Sequence, residues 1–160
     1  MANSKHTLLY IVALALCSVL VTACNEKTVY YHYEHTPMTG WDKNDTLSFV
    51  VGPVTVSGHY QEEIGLRISG EYPFTGLNLI VEQKNESKQL LRVDTLACNL
   101  INERGYAKGR GLSQFQYLFP LSTLDLQEGE QLYVSVRHDM KRDILPGISD
   151  VGLRLVRRTD

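Results

Sequence analysis

Residues 64–70 read Ile-Gly-Leu-Arg-Ile-Ser-Gly: Ile64, Leu66 and Ile68 share one parity, Gly65, Arg67 and Ser69 the other, and Gly70 ends the run. Successive side chains of a strand point to opposite faces, so this pattern buries one face and wets the other, as a half-buried antiparallel strand does.

The same period recurs along the chain. Leu47, Phe49 and Val51 alternate with Ser48 and Val50; Gly52-Pro53 interrupt the run and Val54-Thr55-Val56 resume it. Leu77, Leu79 and Val81 follow a turn at Tyr72-Pro73-Phe74-Thr75-Gly76, and Lys84 to Gln89 is a polar loop. Leu91 and Val93 lie on one parity and Leu96, Cys98 and Leu100 on the other, which predicts either a bulge near Asp94-Thr95 or cover on both faces. After a hairpin turn at Asn102 to Gly105, Phe115, Tyr117 and Phe119 form a strand that Pro120 closes. Gln127 to Glu130 is another turn, Leu132, Val134 and Val136 alternate, Pro146-Gly147 break Met140 to Ile148, and Val151, Leu153 and Leu155 form the last strand. No stretch from Trp41 onward sustains the three-to-four spacing of a helix. The expectation is an all-β fold, an antiparallel β-sandwich of Ig-like or jelly-roll-like type with roughly eight strands.

Ahead of the strands, Leu8 to Cys24 reads LLYIVALALCSVLVTAC, an uncharged run after Lys5 and His6 that ends on small residues and a cysteine. Its apolar core of about 14 residues suits a cleaved secretory signal and falls short of a membrane span. Val21-Thr22-Ala23 followed by Cys24 resembles the lipobox of bacterial lipoproteins, in which the thiol carries diacylglycerol and the new amino terminus is acylated. The organisation is therefore a signal peptide over 1–23, a lipidated tether with an edge strand at Val29 to Tyr33 over 24–36, and one sandwich domain over 37–160. The implied partner is the membrane, held through lipid on Cys24. With Cys17 removed and Cys24 acylated, Cys98 is the one remaining thiol, so no internal disulfide forms and a buried, inert Cys98 is expected.

Eighteen acids against 16 bases give a formal charge of −2 and offer no basic face for nucleic acid. His32 and His35 are three apart on a strand and point to opposite faces, and Asp42-Lys43-Asn44-Asp45 lacks the glycine and glutamate of a calcium loop, so no metal is expected. Gly105 to Gly111 lacks a Lys-Ser/Thr phosphate-loop ending, which leaves no expected cofactor. Gly147 to Gly152 is one residue too long for a nucleophile elbow and the adjacent Glu62 and Glu63 diverge, so no catalytic residue and no small-molecule substrate are expected. Lys141-Arg142 and Arg157-Arg158 read as solvated surface. Trp41, Tyr72 and Phe74 are candidate partner anchors or a sugar platform at strand ends, with Tyr106 beside them.

Several strings together resemble the GldH family of gliding-motility lipoproteins. They are Trp41 with Asp45, Leu47 and Phe49; Tyr72-Pro73-Phe74 with Asn78-Leu79; Val93-Asp94-Thr95-Leu96 with Cys98; Gly105, Gly109 and Gly111; and above all Met140-Lys141 with Leu145 through Arg154. The chain departs from that pattern at Lys141, where Arg is usual, and between Gln116 and Glu128. The resemblance implies a non-enzymatic, membrane-anchored component of the bacterial cell envelope, associated with gliding motility or linked protein secretion and working with other envelope proteins. Asn25 after Cys24 favours the outer membrane by similarity to lipoprotein sorting, on either its periplasmic or its exterior side. Asp45-Thr46-Leu47 and Asp94-Thr95-Leu96 resemble O-glycosylation sites of such bacteria, at Thr46 and Thr95. The alternative function is a carbohydrate-binding surface lipoprotein.

Overall fold

The computed structural model of the protein describes residues 27–158, the Lys27 side chain excepted; the signal at 1–23 and the lipidation residue Cys24 lie outside the described residues. The strands are β1 Lys27–His35, β2 Trp41–Asp42, β3 Leu47–Val51, β4 Gly58–Ser69, β5 Gly76–Lys84, β6 Leu90–Asn99, β7 Gln114–Leu126, β8 Leu132–His138, β9 Ile144–Leu145 and β10 Ile148–Arg157. Eight are long, as the sequence pattern predicts, and β2 and β9 are two-residue pieces paired with each other. The long strands form two antiparallel sheets, ordered β1-β10-β4-β7 and β3-β8-β5-β6.

The apolar parities meet between these sheets. Ile64, Leu66 and Ile68 of β4 and Val151, Leu153 and Leu155 of β10 face Leu77, Leu79 and Val81 of β5 and Leu132, Val134 and Val136 of β8, all buried. Each such leucine or isoleucine is worth about 2–5 kcal/mol against truncation to alanine, because close-packed surroundings collapse only partly.

Three expectations change. Gly52 to Ser57 is a loop, not a resumed strand; the Val54 backbone bridges to the opposite turn, its N–H donating to Glu130 O at 3.0 Å and its C=O accepting from Gly129 N at 2.8 Å. β6 runs in register through Asp94-Thr95; its bulge falls instead at Leu91, between the pairs Gln83–Arg92 and Lys84–Leu90, and Val93 is exposed on the outer face. β7 continues past Pro120 because it is an edge strand with a register shift between Ser122 and Pro120, where a missing N–H removes no ladder bond. The edge strand expected at Val29 to Tyr33 is β1, longer at both ends and paired with β10 alone.

The topology sorts the loops between two ends. At the leader side, β1 begins, β10 finishes, and the loops 52–57, 85–89 and 127–131 turn the chain. At the far end lie 36–46, 70–75, 100–113 and 139–147, with the β2–β9 pair.

Candidate functional site

The far end gathers the residues singled out above. Pairing Trp41 with Leu145 and Asp42 with Ile144 closes a clasp over the mouth of the sandwich. Under it, Trp41 is 0% exposed, its Nε1–H donating to Asp45 O at 3.1 Å. His138, the last residue of β8 and also fully buried, meets the indole edge to face at 5.2 Å. His138 Nε2–H donates to Trp41 O at 3.2 Å and Nδ1 accepts from Met140 N–H at 3.4 Å, which assigns the proton of the neutral ring to Nε2. Burial pulls this histidine below its ordinary pKa, outweighing the Trp41 and Asp143 carbonyls that favour its cation.

Beside the clasp an open groove of about 560 Å³ is lined by Lys43, Phe74, Asn78, Asp139, Met140, Lys141 and Arg142. Lys43 Nζ donates to Met140 O at 2.8 Å and lies 3.8 Å from Asp139, while Asn78 N–H reaches Met140 Sδ at 3.4 Å. Half-buried Tyr72 and Phe74 stack edge to face at 5.5 Å, and Tyr72 Oη donates to Gly76 O at 2.8 Å. The Pro146-Gly147 turn lies against this element. Gly147 has φ +79°, a Cβ there would stand 2.4 Å from Tyr72 N, and its carbonyl accepts from Ser69 N–H at 2.7 Å. The Tyr-Pro-Phe string and the closing string, distant in sequence, are therefore one surface.

This placement corrects the reading of Trp41 as an exposed anchor: the β2–β9 clasp seals it, and it packs against His138 beneath the clasp. Tyr72 and Phe74 keep part of their surface, with Phe74 lining the groove. Thr46 and Thr95 are exposed, Thr46 ahead of β3 and Thr95 opposite Ile80. His32 and His35 pair separately, with Glu34 and Asp150. Among the described residues no group of three or more His, Cys, Asp or Glu comes together to hold a metal. Periodicity missed His138, although it continues the inward parity of Leu132, Val134 and Val136.

Inside the core, away from the groove, Glu62 faces inward and Glu63 outward to Arg154 at 3.0 Å. Glu62 Oε2 accepts from Gln83 Nε2 at 2.9 Å and Ser122 Oγ at 3.0 Å. Gln83 Nε2 also donates to Asp94 Oδ2 at 3.1 Å. The remaining oxygens, Glu62 Oε1 and Gln83 Oε1, are buried without partners. Desolvation raises the Glu62 pKa, so its proton is held above the usual carboxylate range.

The fold is an antiparallel β-sandwich whose far end carries a mostly apolar, cation-rimmed groove beside the clasp. The chain belongs to the GldH lipoprotein family, whose model matches residues 28–155. It is 26% identical over 149 residues to the gliding motility lipoprotein GldH of Flavobacterium johnsoniae, covering 89% of this chain and 92% of that one. It is likewise 26% identical over 146 residues to the GldH homolog of Christiangramia forsetii, covering 86% and 88%. Among solved structures, a family GH115 4-O-methyl-alpha-glucuronidase superposes with a TM-score of 0.45 at 12% identity, over 85% of this chain and 18% of that one.

Proposed function

We propose that the protein is a non-enzymatic lipoprotein of the outer membrane, anchored through Cys24, that supports gliding motility or linked protein secretion by binding another envelope protein at its far-end groove. Membership of a gliding-motility lipoprotein family supports the setting. The observation that carries the mode of action is the convergence of Phe74, Met140, Lys141 and Arg142 on one groove. An apolar floor with a basic rim fits a partner segment that is apolar and acidic. The carbohydrate-binding alternative loses one of its aromatics with Trp41 buried.

The test is complementation of a deletion strain, with cross-linking in the native envelope. Phe74→Ala combined with Lys141→Glu should leave the domain folded and membrane-bound yet abolish both the cross-link and the rescue of motility or secretion. Full rescue by that variant refutes the groove as the working surface.

A further inference from the structure

Only Asn25 and Glu26 separate Cys24 from the first residue of β1. Fully extended, that connection reaches about 10 Å at most, at about 3.5 Å per residue. The leader side of the sandwich is therefore held against whatever membrane receives the lipid, and its surface chemistry can be read.

Register places Val50 of β3, Tyr133 of β8, Lys84 of β5 and Leu90 of β6 in one row across the outer face of the second sheet, at the leader-side margin. Val50 and Leu90 are 53% and 52% exposed, and the Lys88 ammonium sits over the Tyr133 ring, 2.9 Å from its centroid. Leu91, in the adjoining hollow with Leu126, and Val56, in the 52–57 loop, extend the apolar area at this end. The next row toward the far end is Ser48, Ser135, Glu82 and Val93, three of four polar. Exposed aliphatics, a tyrosine and two lysines, Lys88 over that ring and Lys84 paired with Glu82 at 3.1 Å, thus gather at the margin nearest the anchor. That mixture suits the boundary between lipid headgroups and acyl chains. β1 packs beside β3, so the tether leaves from the Val50 side of this margin.

We propose that the sandwich stands on the membrane by its leader side, with Val50, Tyr133, Lys84 and Leu90 seated in the headgroup layer and the groove at Met140 held away from the bilayer. The inference rests on Cys24 being the lipid anchor. Charge does not drive the contact: Lys27, Lys84, Lys88, Arg157 and Arg158 are matched by Glu86, Asp125, Glu128 and Glu130 at this end and by Glu26 just ahead of β1 in the sequence. Seating therefore occurs on zwitterionic lipid and persists in salt.

The experiment takes the lipidated chain in phosphatidylcholine vesicles carrying spin-labelled lipid. A tryptophan is placed at the margin (Leu90→Trp, and separately Val50→Trp) or at the far end (Met38→Trp), with Trp41 as the common buried background. Headgroup-depth spin labels should quench the two margin probes at least twofold more than Met38→Trp, equally at low and high salt. Flotation with the vesicles reports the anchor independently. Flotation with the margin probes no more quenched than Met38→Trp overturns the seating while sparing the anchor; failure to float overturns the anchor and the seating with it.

Discussion

The ring of Tyr33 lies across Gly152, its partner in the β1–β10 register, and reaches Gly65 beyond it on β4. A Cβ at Gly152 would stand 2.6 Å from Tyr33 Cε1, and one at Gly65 would stand 2.6 Å from Tyr33 Oη. The ring has little room to withdraw. Arg67 lies over it at 4.1 Å, and its hydroxyl meets Tyr31 Oη at 3.0 Å and Gln116 Nε2 at 3.3 Å. Two adjacent glycines on central strands, costly in themselves, are covered by an aromatic from the edge strand. Gly152→Ala should therefore cost about 1–3 kcal/mol by overpacking. In urea melts, the double variant with Tyr33→Ala should cost less than the sum of the two single changes, because the clash vanishes with the ring. Strict additivity would remove the claimed contact.

His138 predicts a pH effect of definite sign. Its ordinary pKa of 6.5 is lowered by burial in the folded chain. Above about pH 6.5 the ring is neutral in both states and its stabilising contacts are complete. As pH falls below that value the unfolded chain takes up a proton that the folded one resists, so stability is lost down to the folded pKa. Urea melts between pH 7.5 and 5 should show this slope in the parent chain and a shallower one in His138→Gln, whose amide can still donate to the Trp41 carbonyl. Identical slopes would mean that His138 is not the titrating group.

Period-two alternation was enough to locate β8, β10 and the second half of β4, because there three successive inward positions are aliphatic: Leu132, Val134 and Val136; Val151, Leu153 and Leu155; and Ile64, Leu66 and Ile68. It was silent over Gly58 to Glu63, where the inward side chains include Tyr60 and the carboxyl of Glu62, and a buried acid looks like surface until its partners on β5 and β7 are known. Trp41 misled for a related reason. Its cover comes from Leu145, about a hundred residues away, through a two-residue pairing that leaves no local pattern. The Tyr-Pro-Phe and closing strings were visible as strings, but that they form one surface depends on Gly147 fitting against the Tyr72 backbone, which is tertiary information.

Cys98 is 2% exposed, and burial pushes its thiol up to about 12. Thiolate is the reactive form, so the native thiol should be inert at neutral pH on both counts. In the lipidated chain, a water-soluble maleimide at pH 7 should leave Cys98 unmodified over hours and label one thiol per chain in denaturant. Rapid native labelling would show that the β5–β6 margin opens.

Glu62 sets the opposite pH dependence to His138. Desolvation raises its pKa from 4.5, opposed by hydrogen bonds from Gln83 and Ser122 and reinforced by Asp94. The folded chain holds this proton after the unfolded chain has released it, so stability falls as pH rises from about 4.5 to the folded pKa and is level beyond. Glu62→Gln keeps an acceptor for Ser122 and carries no charge, and it should remove that decline and be the more stable form at neutral pH. Glu62→Leu instead strands the Ser122 hydroxyl and one Gln83 N–H inside the core, a loss of about 1–3 kcal/mol. Chemical melts of the three chains at pH 4.5 and 7.5 separate these effects. If Glu62→Gln is the less stable form at pH 7.5, the carboxylate is favourably held there and the raised pKa is wrong.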